Sequence, residues 1–426
     1  MRGRVRGNRL AVGGLALLLS ACGPGSEEDA GTDAEAQTGS LAACDQAEDG
    51  LAYLNCLRQR TGLTGLEAAP ALTRAAQNHA DYLVTNGITG HEEDPELRLF
   101  TGEWPLDRAR ETGYDAYWDV AEVIAYRPEP QTALDGLLSA IYHRLGLLRL
   151  DAGEVGMATA TTNSGTGPEA AFVALTANPA MGENCEPVAA DPVKLDCSPD
   201  YQTTRTEPMT VQPQWVAWPP PEGAGIPPAF FEETPDPLPD YSVSGYPVSL
   251  QFNPTKVGEV TVNELRLRRD GEPVAFITAM DKGNDPNQVL SGHQYAWFPR
   301  KRLAWGADYE VTAEVVMDGE LKTLEWSFAT RELPGPVHTV DSDTATVSVA
   351  SGKRVNLYLP PASRHQDGLE WSLNHPGDTS LDSHAVDINT LAVTFTARAG
   401  QEATVTADLL SGGSRDARRT ITLVAE

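Results

Sequence analysis

Between residues 45 and 180 the apolar positions recur first at helical and then at strand spacing. Leu51, Leu54 and Leu57 form one stripe and predict a helix over 45–60, stopped at Gly62. Leu72, Ala75, Ala76, His79, Ala80 and Leu83 predict the inward face of a second helix over 70–85. Pro70 suits its first turn and Asn86-Gly87 its end. A third, short helix is expected over 105–113. A fourth is expected over 131–148, with Leu134, Leu137, Leu138, Ile141 and Leu145 inward; on it Ser139 and His143 stand at i and i+4 and share a face. The period then falls to two over 154–160 and 170–176, two strands joined by a Gly/Ser/Thr-rich loop.

From 181 to 240 the pattern is lost. Pro219-Pro220-Pro221, Pro227-Pro228 and Pro235-Asp236-Pro237 leave little room for regular structure. Trp215, Trp218, Phe230 and Phe231 point to a linker that packs on a domain surface; an aromatic ligand platform is the alternative. Alternation returns at Val248, Leu250 and Phe252 and persists through Leu267, with turns at Asp270-Gly271 and Asp318-Gly319. Leu303 to Val311 resembles the Leu-x-x-Gly-x-x-Tyr corner of Ig-like sandwiches, and Trp326 to Thr330 their last strand. An Ig-like domain is expected over 241–333, and Asp281 to Asn287 is read as a turn because it lacks the spacing of a calcium loop. Short strands at sandwich spacing over 337–426 predict a second β-sandwich.

The amino terminus changes the picture from a free protein to an exported one. Arg2, Arg4, Arg6 and Arg9 precede the short apolar run Leu10 to Leu19, too short to span a bilayer, so residues 1–21 read as a secretory signal. Leu19-Ser20-Ala21-Cys22 resembles a lipobox, which implies cleavage before a lipidated Cys22, with residues 22–40 as an acidic tether and the bacterial cell envelope as the location. The net charge of −28 argues against nucleic acid as a partner. Cys44, Cys56, Cys185 and Cys197 remain after Cys22, an even set that favours disulfides in an exported chain. Local pairing, Cys44–Cys56 and Cys185–Cys197, is the simplest; the alternative ties the start of the first domain to the segment after its last strand.

Leu54-Asn55-Cys56-Leu57-Arg58, Gly62-Leu63-Thr64-Gly65-Leu66 and Ala75-Ala76-Gln77-Asn78-His79-Ala80 resemble the opening of the CAP superfamily, the SCP-like extracellular domain. The order continues with His91, Ala121-Glu122-Val123, Ser139-Ala140-Ile141-Tyr142-His143-Arg144 and Val155-Gly156-Met157-Ala158. The resemblance covers about 45–180 and implies an α-β-α sandwich with a cleft open to solvent. The expected fold is therefore α+β and multidomain, a CAP-like sandwich over 41–180 followed by two β-sandwiches. The family's Gly-Glu-Asn has lost its Gly and Asn around Glu122, and no histidine stands in the 170–176 strand.

His91, Glu122, Ser139 and His143 are the cleft candidates. His91, Glu122 and His143 would fill three positions of a zinc site; the plainer expectation is that they hydrogen-bond and hold the cleft in shape. No HExxH helix and no G-x-S-x-G elbow is present. His79 is expected to pack in the core, Glu92-Glu93-Asp94 to form a solvated rim, and Arg108 to pair with one of those acids. The expected function is a non-enzymatic binding or adhesion module, anchored to the membrane through Cys22, that holds a lipid, peptide, glycan or protein. The alternative is a metal-assisted hydrolase of peptides or esters.

Overall fold

The computed structural model describes residues 2–6, 41–115, 120–165, 167–181, 185–188, 191–197, 201–231 and 233–426. Cys22, its cleavage site and the tether at 22–40 lie outside the described residues. A strand, β1 (Arg2–Arg6), pairs with Gly368–Ser372 and belongs to the segment that cleavage before Cys22 would remove.

The first domain begins with α1 (Gly50–Arg60), later than expected because Asp49 caps it, accepting from the Ala52 N–H at 2.8 Å. After β2 (Glu67–Ala68) comes α2 (Pro70–Asn86), entered through Pro70 and ended by Gly87 at φ 65°. Then follow α3 (Pro105–Glu111), β3 (Val120–Ala125), α4 (Pro130–Ser139), α5 (Ile141–Leu147), β4 (Glu154–Thr161) and β5 (Ala170–Ala177). The four strands form one sheet in the order β2-β4-β5-β3. Glycine lets α2 lie close on this sheet, since a Cβ on Gly156 would sit 2.1 Å from the Leu72 carbonyl carbon. One face of the sheet packs Ile124, Val173 and Leu175 against Leu72, Ala76 and Leu83 of α2. The other packs Val123, Ala125 and Phe172 against Leu54 and Leu57 of α1 and Leu134 and Leu137 of α4.

The expected single helix over 131–148 is two helices. Ala140 is extended (φ −88°, ψ 124°) between α4 and α5, and Ser139 Oγ donates back to the Gly136 carbonyl at 2.6 Å. The Tyr142 N–H leaves the helical ladder for the carboxylate of Glu233, at 3.2 and 3.3 Å. Ser139 and His143 therefore do not share one helical face.

Cys44 and Cys56 form a disulfide that ties the turn before α1 to its middle. The ladder of Cys185–Val188 with Asp191–Cys197 sets Cys185 opposite Cys197. The Pro-rich segment carries more structure than its composition suggested. Trp215–Trp218 pairs with Val248–Phe252, and Gly223–Ile226 pairs with the Glu320–Thr330 strand, so both join the first sandwich. Its aromatics explain why: Trp218 and Phe230 are buried, and the Trp218 indole N–H donates to Tyr246 Oη at 2.8 Å. The corner motif holds, with the Ala304 N–H donating to Tyr309 Oη at 2.8 Å. The second sandwich packs a five-strand sheet, β1 among them, on a four-strand sheet, one of whose strands, Ser380–Asp387, had no clear sequence signal. The molecule is α+β and multidomain.

Candidate functional site

Strand alternation decides which candidates can meet. Glu122 shares its face of β3 with Ile124, which packs toward α2; Val123 points the other way. α5 lies on the Val123 side, where a Cβ on Gly146 would stand 3.2 Å from Val123 Cγ1. His91 and Glu122 therefore meet on the α2 face, and His143 is placed in the opposite layer.

On the α2 face, His91 Nδ1 lies 2.8 Å from Glu122 Oε1. Arg108, from α3, donates its Nη2 to both Glu122 oxygens at 2.9 Å. Burial alone would raise the Glu122 carboxyl; the Arg108 guanidinium, with His79 and His91 behind it, outweighs burial and holds it far below the usual carboxylate range. An ionised Glu122 only accepts, so His91 Nδ1 carries the proton between them.

His79 forms the second half of the cluster. Its Nε2 lies 3.0 Å from the Gly90 carbonyl and its Nδ1 2.9 Å from Glu93 Oε1. A carbonyl only accepts, so Nε2 is protonated. Glu93 is wholly buried, which corrects its reading as part of a solvated rim; Glu92 and Asp94 stay exposed. Arg108 takes Glu122 as its close partner and keeps Nε 3.8 Å from Glu93.

These charged groups also hold backbone. Glu93 Oε2 accepts from the Thr101 N–H at 2.7 Å, and Arg108 Nη1 donates to the Gly102 and Glu103 carbonyls, each at 3.2 Å. The Glu93 N–H bonds to the Glu103 carbonyl at 3.0 Å, so residues 94–102 form a closed excursion of the chain, an Ω-type loop. Tyr82 Oη accepts from the Asp94 N–H at 2.7 Å. Tyr126 Oη accepts from the Gly90 N–H, and burial pushes that phenol up to about 12.

His143 belongs to a different cluster, between domains. Its Nδ1 lies 2.9 Å from Glu233 Oε2, both side chains buried. Tyr142 hydrogen-bonds through its hydroxyl to Asp285, which also accepts from the N–H groups of Val289 and Leu290. Arg144 donates to the Leu138 and Pro247 carbonyls and to Ser249 Oγ. Tyr142, His143 and Arg144 thus join the first domain to the Pro-rich segment and the first sandwich.

The chemistry available follows from this separation. His91 and Glu122 reproduce the oriented imidazole of a catalytic triad, but the candidate hydroxyl, Ser139, donates to Gly136 in the α4 layer. A three-ligand zinc set of His91, Glu122 and His143 is not formed. Among the described residues no group of three or more His, Cys, Asp and Glu side chains is arranged to hold a metal ion. The residues also fit a cation poorly, because the guanidinium of Arg108 already covers both Glu122 oxygens. The sequence reading missed Glu93 and Glu233. Glu93 was masked by its acidic neighbours, and Glu233 stands far from its partners with no spacing signal.

Fold and site together define an α-β-α sandwich domain with a buried His/Glu/Arg cluster, followed by β-sandwich domains. Residues 51–176 match the family described as CAP, the cysteine-rich secretory protein family, so this part of the chain is a CAP domain. Among solved structures, an outer surface protein from Borrelia burgdorferi is similar at 20% identity, with 29% of this chain and 86% of that one covered and a TM-score of 0.25. An extracellular protein containing a SCP domain from Bacillus anthracis str. Ames is similar at 20% identity and a TM-score of 0.24; 30% of this chain covers 39% of that one. CopC from Methylosinus trichosporium OB3b is similar at 17% identity, with 27% of this chain and 89% of that one covered and a TM-score of 0.18. No curated protein matches the chain. No helix among the described residues is long and apolar enough to cross a membrane.

Proposed function

We propose that this chain is an exported bacterial envelope protein, lipid-anchored at Cys22, whose CAP domain works as a non-enzymatic binding module carried by Ig-like sandwiches. The observation that supports the reading is the direction in which the buried cluster works. Glu93 and Arg108 hold the backbone of the 94–102 loop, and Arg108 covers Glu122. Such a cluster positions a loop for recognition and leaves no carboxylate uncovered to act as a base. The test is turnover of aryl esters and of peptides by the full chain, with and without added zinc, beside His91→Ala. The expected result is no turnover above the variant. Turnover that requires both His91 and zinc would replace this reading with the hydrolase. Anchoring is tested by fractionation: Cys22→Ala should release the protein from membranes, and retention of that variant would refute the lipid anchor.

A further inference from the structure

Seven large hydrophobic residues are exposed among the described residues, and four of them stand within one short stretch. Leu97, Leu99, Phe100 and Trp104 are 37, 50, 40 and 44% exposed. Scattered single exposures are ordinary, but a group on one loop is not. The loop that carries them is fixed from beneath. The Thr101 N–H and the Gly102 and Glu103 carbonyls are held by Glu93 and Arg108, the Arg98 carbonyl accepts from Asn86 at 2.9 Å, and the Leu97 N–H closes a turn on the Asp94 carbonyl. Leu99 sits at φ 63°, a conformation that L side chains avoid. The fold therefore holds apolar side chains in water on a rigid support. A surface ordered before it binds loses less entropy on binding.

The rim decides the partner. Glu92, Asp94, Glu96 and Glu103 are exposed around the apolar group, and Arg98 is the one basic residue exposed between 92 and 104. A second copy would set acidic rim against acidic rim, and an anionic bilayer would be repelled in the same way. We propose that the 94–104 loop docks a polypeptide segment that presents apolar side chains flanked by Lys or Arg. The inference rests on the binding reading and gives it a surface and a partner chemistry.

The experiment titrates the full chain with three synthetic peptides of equal length: Leu/Trp/Lys, Ser/Lys with the same charge, and Leu/Trp/Glu. The loop variant combines Leu97→Ser, Leu99→Ser, Phe100→Ser and Trp104→Ser; it keeps every charge, and its fold is checked by circular dichroism. The Leu/Trp/Lys peptide should bind at least about tenfold tighter than the other two, and the loop variant should lose at least about tenfold of that affinity. Equal binding of the Ser/Lys peptide, or unchanged affinity in the loop variant, overturns the proposal. So does loop-dependent dimerisation in sedimentation, or loop-dependent retention on phosphatidylcholine or phosphatidylglycerol vesicles in preference to the peptide. Binding that survives the loop variant moves the surface elsewhere and leaves the binding reading standing; only His91-dependent turnover removes that reading.

Discussion

Replacing Arg108 by Met should destabilise the first domain by about 3–5 kcal/mol at neutral pH, the usual consequence of leaving a buried charge without its partner. Arg108 and Glu122 are both buried, and the guanidinium donates to both carboxylate oxygens at 2.9 Å. Met fills similar space, so the loss is electrostatic and not a cavity effect. The pH dependence gives the sharper test. Glu122 is held far below its ordinary value, mainly by Arg108 acting against burial. A group depressed in this way contributes stability that is present above its unfolded value, about 4.3, and is lost as pH falls through the folded value. Without Arg108 the carboxyl rises, protonates on acidification and then needs no cation. The deficit of the variant should therefore be largest near pH 7 and shrink toward pH 4. The double variant Arg108→Met/Glu122→Gln should lose less than the sum of the single changes, by about 1–3 kcal/mol. Urea titrations followed at 222 nm report mainly on this domain, because α1–α5 lie in it and only the helix Tyr201–Thr210 lies outside it among the described residues. A loss under about 1 kcal/mol, no dependence on pH, or strict additivity would refute the argument.

Glu233→Ala should leave the Tyr142 N–H and His143 without their buried acceptor and destabilise the domain junction by about 3 kcal/mol. Calorimetry should then show the CAP domain melting apart from the first sandwich, and an unchanged single transition would count against the junction. Gly156→Ala should destabilise by about 3 kcal/mol or more, because its Cβ would meet the backbone of α2 at 2.1 Å. Gly146→Ala should lose about 1 kcal/mol, its new contact being one Val123 methyl at 3.2 Å. Urea midpoints that rank these two glycine variants the other way would refute the packing argument.

What the sequence showed and what it hid divide along the range of the interactions. The stripe of α2 reads directly as helix because Leu72, Ala75, Ala76, Ala80 and Leu83 all face one sheet. The break between α4 and α5 does not read, because Leu134, Leu137, Leu138 and Ile141 keep their periodicity across it. Glu233, remote in sequence, takes up the Tyr142 N–H that the break leaves without a helical acceptor. Local pattern likewise cannot separate Glu93 from Glu92 and Asp94. Only the fold of α2 brings His79 to it. The prolines at 219–221 hide the neighbouring strands, since the propensity of Pro is local and the pairing of Trp215–Trp218 with Val248–Phe252 is not. His91 and Glu122 were nominated together and do meet; His143 was nominated with them, and the alternation of β3 keeps it on the other face.

Two carboxylates, one guanidinium and two imidazoles are an uneconomical way to fill the interior of a small domain. Apolar residues of similar volume are often as stable or more so. Their arrangement makes sense once the loop above them is considered. Leu97, Leu99, Phe100 and Trp104 each leave more than a third of their surface in water, so packing holds the loop only in part. Polar partners beneath the loop supply the rest by gripping its backbone groups. Glu93 takes the Thr101 N–H, and Arg108 takes the Gly102 and Glu103 carbonyls. Glu122 holds Arg108 in place, and His79 and His91 complete the coordination of the two carboxylates. Arg108 offsets the charge of Glu122. Stability and recognition are coupled through Arg108. A change there, touching none of the exposed side chains, should weaken peptide binding by releasing the loop that displays them.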